Sequence, residues 1–544
     1  MPSKNAGEND TFAPLKNPTF RGLWVANIVS NFGGMVQGVG AAWLMTTLVD
    51  SKAMVALVQA STTLPIMVFA LIAGALADNF DRRKILLAAQ SFMLVVSVVL
   101  VVCTWLNVIN AWSLLGFTFL IGCGAAFNIP SWQASVGDIV GKKTLPSAVV
   151  LNGMGFNVTR SVAPAIGGFI VASAGAVFAF IVNAVSYIGL ILVVWRWEGA
   201  PRPNSVPRES LPAAIYAGLR YVALSPHLTR VLFRGFVFGV TTIITLALLP
   251  LISRELLGGG AVLYGALLCG FGAGAVGGGL VAARLRKTLS NEAMVRLAFL
   301  GLALCASISA VSHYVVVTSL AVALGGAAWV LALSMFNTSV QISTPRWVVG
   351  RALSLYQMAV FGGMALGAWL WGTVAEWQSI SQALLMAAAT MLVGAALGLR
   401  WRLPDPRDLN LDPLNRWQEP TVKLDIQARS GPVSIAVLWL INDQDLAEFK
   451  RLMVARRRRR RRDGAQQWSL LRDLAQPERW VERFEFPTWG DYVRFHTRTT
   501  QEEARLIDRL RVLHAEDTAP QVIRLLTRDP SERSAPEDGQ ILDV

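Results

Sequence analysis

A chain of 544 residues that is 53% hydrophobic and only 15% charged, with a mean hydropathy of +0.47, is too apolar for a soluble enzyme or a secreted disulfide scaffold. Its net charge of +14 is unevenly placed: residues 1–402 hold 25 basic and 11 acidic side chains, and residues 403–544 hold 24 of each. All of the net charge therefore lies in the apolar part, which excludes a nucleic-acid binder built on a basic domain and predicts an integral membrane protein with a neutral, soluble C-terminal appendage.

The first 21 residues are polar and read as a cytoplasmic segment. The apolar run that begins at Leu23 is too long for a signal-peptide core and reads as a retained helix. From there to Arg402, apolar runs long enough to cross a bilayer recur about twelve times between short polar breaks. Basic residues concentrate in alternate breaks: Arg82, Arg83 and Lys84; Lys142 and Lys143; Arg284, Arg286 and Lys287; Arg346 and Arg351. The intervening breaks hold only Lys52 and Arg254. Positive charge is retained on the cytoplasmic side, so both termini are predicted to be cytoplasmic, in the cytoplasmic membrane.

The long sixth break, residues 197–227, separates six-helix halves at 22–196 and 228–402. Within it Leu211, Ile215, Leu219 and Val222 recur at helical spacing and predict an amphipathic helix. The halves echo one another at a separation of roughly 205 residues: Gly74 before a basic cluster recurs as Gly278, and Val140-Gly141-Lys142 recurs as Val349-Gly350-Arg351. Cys103, Cys123, Cys269 and Cys305 all sit in apolar runs without metal-ligand spacing, and there is no phosphate-binding loop, so neither a metal nor a cofactor nor a catalytic residue is expected.

Beyond Arg402 comes a Pro-rich linker, 403–431. Residues 432–530 read as strand, helix, strand, strand, helix, strand, with a single second helix over Trp489–His514; residues 531–544 read as a flexible tail. That order is a ferredoxin-like unit. The predicted fold class is thus an all-α polytopic membrane protein of two six-helix halves followed by an α+β ferredoxin-like soluble domain. Seven consecutive arginines, Arg456–Arg462, read either as a solvated helix end or as a contact with anionic lipid headgroups.

Two motifs carry a family resemblance. The second break reads Gly74-Ala-Leu-Ala-Asp78-Asn-Phe-Asp81-Arg82-Arg83-Lys84 and resembles the loop motif of the major facilitator superfamily, with Asn79 and Asp81 in place of the usual Arg and Gly. The resemblance implies a conformational gate at Gly74, Asp78, Asp81, Arg82 and Arg83. Asp78 would face a helix N-terminus from the other half, and the arginines would pair with acids or lipid phosphates. The fifth span carries Ala163-Pro164-Ala-Ile-Gly167-Gly168, similar to the superfamily's antiporter motif and predicting a helix bend at a packed interface. The string from Phe127-Asn128 through Trp132 to Asn157-Val-Thr-Arg160 resembles the transmembrane secretion effector branch, which includes enterobactin-type exporters. It implies export of a small molecule.

Intramembrane polar residues are the default site candidates. Asn27 and Asn31, Asn128 and Trp132, and Asn337 and Gln341 form one-turn pairs on the first, fourth and tenth spans, and Asn157 and Arg160 lie on the fifth. These eight are the expected cavity residues, with Arg160 expected to bind an anionic group or neutralise Asp138. None of the acids before residue 403 falls in mid-span, so proton coupling is implied by the family alone. The expected partners are a small-molecule substrate and the lipid bilayer, without nucleic acid, and two copies are expected to pair through the tail's sheet. The tail resembles dimeric α/β-barrel domains in which a catalytic role would recruit Asn442, Trp468 and His496. An importer on the same fold, and a membrane-tethered enzyme or sensor acting through the tail, are the rival readings.

Overall fold

Helix starts in this chain are written by side chains able to satisfy the first free N–H groups. In the computed structural model, which describes residues 12–197, 211–345, 347–404, 411, 414, 420, 422–424, 426–516 and 518–528, Asn17 accepts from the Thr19 and Phe20 amides to open α1, Pro18–Leu48. Ser51 opens α2, Lys52–Asn79, and Asp81 opens α3, Arg82–Trp105. Asn110 and Ser113 form a reciprocal cap on α4, Ala111–Ala174. This 64-residue element is two spans joined at Gly141, whose φ of +73° is open to glycine at little cost. After α5, Ala176–Arg196, comes the predicted amphipathic helix, α6, Leu211–Ala223.

The second half begins with α7, Pro226–Thr242, continues through the short turns α8, Ile244–Ala247, and α9, Leu249–Leu251, and ends in a π turn at Ile252–Leu256. Then follow α10, Ala261–Leu285; α11, Asn291–Val311; α12, Val315–Ile342; α13, Val349–Trp377; and α14, Ile380–Arg400. Ten of the described helices are long and apolar enough to cross a membrane. With α1 and the second arm of α4, twelve long helical segments make up two halves of six. The seam between the halves runs along α2 against α13 and along the second arm of α4 against α10. An even number of crossings places residues 18, 79, 141, 196, 285, 342 and 400 at one end of the bundle, here called proximal; the other end is distal.

Close approach in the bundle depends on residues without side chains. A Cβ at Gly168 would lie 2.6 Å from the Ala261 carbonyl oxygen and 2.9 Å from the Gly265 Cα. The backbones of α4 and α10 therefore touch directly.

The chain divides into two compact units: residues 1–216, 227–341 and 349–406 form the first, and 217–226, 342–348 and 407–544 the second. In the second, β1 (Val433–Leu440), α15 (Leu446–Arg462), β2 (Gln466–Arg472), β3 (Arg479–Phe486), α16 (Trp489–Thr497), α17 (Gln501–Val512) and β4 (Val522–Leu526) build an antiparallel sheet of order β2-β3-β1-β4. This is the ferredoxin-like arrangement. The expected single second helix is instead two, because the chain turns at Arg498–Thr500 between α16 and α17.

Val433, Ile435, Val437 and Trp439 alternate onto the helix side of the sheet and are buried with Phe449, Phe484 and Phe486. The register puts Leu438, Val481, Ile523 and Leu525 on the opposite face, where Ile523 and Leu525 are exposed. Tyr221 and Trp347 also belong to this unit and meet edge to face, with Arg462 over Tyr221 and Arg498 over Trp347.

Three of the seven arginines are neither a solvated helix end nor a headgroup contact. Arg456 is buried and bonds Glu482 at 2.8 Å, and Arg460 reaches the same carboxylate at 3.5 Å. Arg462 chelates Asp463, which leaves Arg457, Arg458 and Arg461 exposed. Glu482 dictates this, because its register on β3 turns it toward α15. Burial pushes its carboxyl up, but Arg456, Arg460 and the Trp468 N–H outweigh that and hold it below the ordinary carboxylate range. The predicted segments 1–11, 198–210 and 531–544, and most of the linker, lie outside the described residues.

Candidate functional site

Polar side chains inside an apolar bundle are costly unless they meet each other, backbone or water. Six of the eight expected ones gather in one place. A cavity of about 1100 Å³ is lined by α1, α2, both arms of α4, α12 and α13. Every lining stretch belongs to the proximal half of its helix, so the cavity occupies that half of the bundle. Asn27, Asn31, Asn128, Trp132, Asn337 and Gln341 all line it, together with Gly74. One-turn spacing on three helices thus brings three pairs onto a common wall. Asn128 accepts from the Gln90 amide of α3 at 3.0 Å, and Gln341 donates to Asn337. Gln90 thus fixes Asn128, and Asn337 and Gln341 fix each other.

Five polar residues of this lining were not among the expected ones: Gln133, Asn152, Arg351, Ser354 and Gln357. Asn152 is the most informative, since its buried Oδ1 has no hydrogen-bond partner among the described residues and so is available to a guest or to water. Arg351 reads in sequence as a topology-setting loop cation. It lies instead in the first turn of α13, which turns it into the cavity mouth. Among the described lining residues there is no carboxylate. The wall is thus amide-rich, with one fixed cation.

The structure places Asn157 and Arg160 elsewhere. Neither is among the described lining residues. The Arg160 guanidinium lies 5.4 Å from the centre of the Phe271 ring on α10, a cation–π contact in the seam between halves. Nor does Arg160 neutralise Asp138, which bonds Arg82 at 2.7 Å.

At the loop between α2 and α3, Asp81 caps α3 by accepting from the Arg83 amide. Arg82 also donates to the Ala77 and Ala134 carbonyls, so it ties this loop to α4. Arg83 was expected to meet acids or lipid phosphates. Its guanidinium donates instead to the Val194 and Trp195 carbonyls at the end of α5, where helical carbonyls lack intrahelical partners. The Asp78 side chain, expected at the centre of the gate, lies outside the described residues. Pro164 and Gly168 line the seam, where a Cβ at Gly265 would meet the Pro164 carbonyl; Gly167 packs instead within its own half, where a Cβ would meet Val36 of α1.

The distal end is fastened across the halves. Glu376, at the end of α13, accepts from the Ser51 hydroxyl at 2.9 Å and the Ala53 amide at 3.0 Å. Lys52 pairs with Glu255 at 3.8 Å, Arg254 donates to the Thr46 carbonyl, and Trp43 stacks on Tyr264.

A buried ion pair also escapes the sequence reading. Arg234 of α7 and Glu292 of α11 are 1% and 9% exposed and bonded, while the Leu403 amide donates to the same carboxylate at 3.0 Å. Glu292 reads as an end-of-span charge. Gly398 on α14 leaves the room it occupies, since a side chain there would collide with it.

In the tail, His496 lines a separate cavity. Trp468 is occupied in donating to Glu482, and Asn442 is exposed; neither is among the described lining residues of that cavity. The three residues a catalytic reading would recruit therefore do not converge on one site.

Comparison with known proteins fits this architecture. The chain is 24% identical over 336 residues to the staphyloferrin A transporter of Staphylococcus aureus, covering 60% of this chain and 82% of that one. It is 24% identical over 364 residues to the enterobactin exporter EntS of Escherichia coli, covering 65% and 85%. The multidrug efflux pump Tap of Mycolicibacterium fortuitum is 24% identical over 408 residues, covering 71% and 96%. Among solved structures, a bacterial homologue of the human lysosomal transporter Spinster aligns with a TM-score of 0.56 at 15% identity, over 71% of this chain and 96% of that one. A POT family transporter in complex with 5-aminolevulinic acid aligns with a TM-score of 0.59 at 10% identity, over the same shares. The family match itself extends over residues 9–533: the chain belongs to the transmembrane secretion effectors of the major facilitator superfamily and is a membrane-embedded efflux transporter rather than an enzyme.

Proposed function

We propose that the protein exports a polar, oxygen-rich small molecule across the cytoplasmic membrane by alternating access, with the proximal end and both termini in the cytoplasm. The observation that carries this reading is the proximal cavity: amide groups from both halves, Arg351 at its mouth, and no carboxylate among its described lining residues. Amides can donate to and accept from a guest rich in oxygen, and the guanidinium at the mouth adds further hydrogen-bond donors. Orientation is supported by the retention of Arg82, Arg83, Arg284, Arg286 and Arg351 near proximal helix ends. On this reading the structure is the cytoplasm-facing state, its distal end held by Glu376, Arg254 and Lys52. Outward opening requires those bonds to part while the proximal walls close. The relatives named for enterobactin and staphyloferrin A support a siderophore-like substrate, and the one named for multidrug efflux supports a drug. Exchange against protons belongs to the same proposal.

Everted membrane vesicles test it. An exporter fills them with labelled enterobactin or staphyloferrin A, and a pH gradient of the right sign drives the filling if protons are exchanged. Arg351→Gln should slow filling by about tenfold or more, the loss of one charge-assisted hydrogen bond. Accumulation in right-side-out vesicles alone would identify an importer.

A further inference from the structure

α3 contributes no described lining residue to the transport cavity, yet it carries a polar side chain that reaches one. Its buried positions from Leu86 to Val96 are Leu86, Ala89, Gln90, Met93 and Val96, and Gln90, 1% exposed, is the polar member of that set. A buried amide favours the fold only when both of its ends are paired. Gln90 has one end paired: its Nε2 donates to Asn128 Oδ1 at 3.0 Å, while its Oε1 has no hydrogen-bond partner among the described residues. A methionine would fill a similar space without burying an unpaired oxygen, so packing alone does not account for the glutamine.

The bond sits in a firm frame. One turn before Asn128, a Cβ at Gly124 would collide with Met93 of α3, so the two helices pack closely there. At the other end of the contact, Arg82 ties the start of α3 to the Ala134 carbonyl and to Asp138. Gln90 lies between these two anchorages, and its distance from Asn128 is fixed by both.

The consequence is one of polarity. Asn128 lines the cavity, and its carbonyl oxygen is engaged from behind, so the group it can turn toward a guest is its amide N–H. The tenth span, which corresponds to the fourth in the other half, repeats the sense: Gln341 donates to Asn337 Oδ1, which leaves Asn337 N–H groups for the same cavity.

We propose that Gln90 is a positioning residue for the substrate: it holds Asn128 as a hydrogen-bond donor, so that the cavity selects guests by acceptor oxygens such as carbonyl, ester or phenolic groups. This rests on the oxygen-rich substrate of the export reading and adds to it the sense in which the oxygens are recognised. Gln90 itself touches no guest and acts through Asn128.

The test titrates the full-length protein in lipid nanodiscs calorimetrically with enterobactin, with empty nanodiscs as the blank, and follows thermal unfolding of the same samples. Gln90→Met keeps the length of the side chain but cannot donate, which frees the Asn128 amide to turn over. Asn128→Asp is nearly isosteric and can still accept from Gln90, but it faces the cavity with an acceptor. The expected result is saturable binding by the parent, about fivefold weaker in Gln90→Met and about tenfold weaker in Asn128→Asp. In an Asn128→Ala background, Gln90→Met should change affinity by less than about twofold, because a residue acting through another has nothing left to act on. Gln90→Met should also melt no lower than the parent; a lower melting temperature would mark Gln90 as a packing residue and overturn the proposal. Parental affinity in Gln90→Met or in Asn128→Asp, or an undiminished effect of Gln90→Met in the Asn128→Ala background, would overturn it as well. No saturable binding by the parent would overturn the substrate reading and this proposal together. The direction of transport is read separately in everted vesicles and does not enter a binding titration, so failure of export and failure of the positioning role are distinguishable.

Discussion

Arg234 and Glu292 are nearly withdrawn from solvent and serve three spans at once: α7 through the arginine, α11 through the glutamate, and the exit of α14 through the Trp401 carbonyl and Leu403 amide. Glu292→Gln is nearly isosteric and keeps an oxygen for the Leu403 amide, so it isolates the charge. An unpaired guanidinium is then left buried, at a cost of about 3–5 kcal/mol. Replacing both partners, Arg234→Met with Glu292→Leu, removes the charge altogether. Exchange of a buried pair for apolar residues is neutral or stabilising by about 1–4 kcal/mol, set against about 1–3 kcal/mol for stranding the Leu403 amide. The double variant should therefore lie near the parent and, at the middle of these ranges, roughly 4 kcal/mol above the single one. Cys305 supplies the reporter, since it is buried on the same helix as Glu292. With Cys103, Cys123 and Cys269 replaced by alanine, the rate at which a thiol dye reaches Cys305 during heating follows opening of this half. The reasoning fails if Glu292→Gln melts with the parent, or if the double variant is no better than the single.

The distal fastening should weaken in Glu376→Gln, which keeps an acceptor for the Ser51 hydroxyl and Ala53 amide but loses the charge; cysteine labelling from the distal side should rise, and an unchanged pattern would show that this contact does not hold the end shut. Gly265→Val would drive a side chain into the Pro164 carbonyl, so transport should fall severely while membrane insertion persists, and normal transport would show that the seam yields. His496 is neutral in the folded tail and regains its ordinary pKa on unfolding. The folded tail is therefore fully stable above about pH 6.5 and loses stability as pH falls from there toward about 3. Hydrogen exchange of tail peptides, corrected for intrinsic rates, should quicken between pH 7 and 5 in the parent and stay flat in His496→Phe; equal slopes would refute it. The sheet face bearing Leu438, Val481, Ile523 and Leu525 is expected to pair two copies. Light scattering of the full-length protein should give a dimer that Leu525→Asp splits, and a monomeric parent would refute the pairing.

Much of the bundle was legible because the bilayer imposes a length on each apolar run, and much of the cavity because one-turn pairs such as Asn27 and Asn31 must share a helix face. Depth along a span says nothing of direction around it, however. Arg160 was judged by depth and turned out to face Phe271 in the seam, whereas Arg351 was judged a loop charge and opens α13 toward the cavity. Glu292 shows the same limit. Its place near a span end gave no sign that Arg234 and the stretch after α14 close over it. In the tail, alternation exposed the strands, but the burial of Arg456 and Arg460 depended on one glutamate, Glu482, on a strand distant in sequence. Composition could not reveal that pairing.

The direct backbone contact between the halves bears on how the molecule can move. At Gly168 and Gly265, and again where Gly272 meets the backbone of Arg160 and Ser161, there are no interlocking side chains that must be extracted and reseated when one half rocks against the other. Such a surface behaves as a plain bearing: it constrains the distance between its faces while leaving sliding along them nearly free of rotamer changes. On the proposed alternating-access cycle, the barrier to switching then falls on the polar fastenings at the bundle's ends. Conditions that act on charge and hydrogen bonding should therefore govern the cycling rate more than those that act on packing.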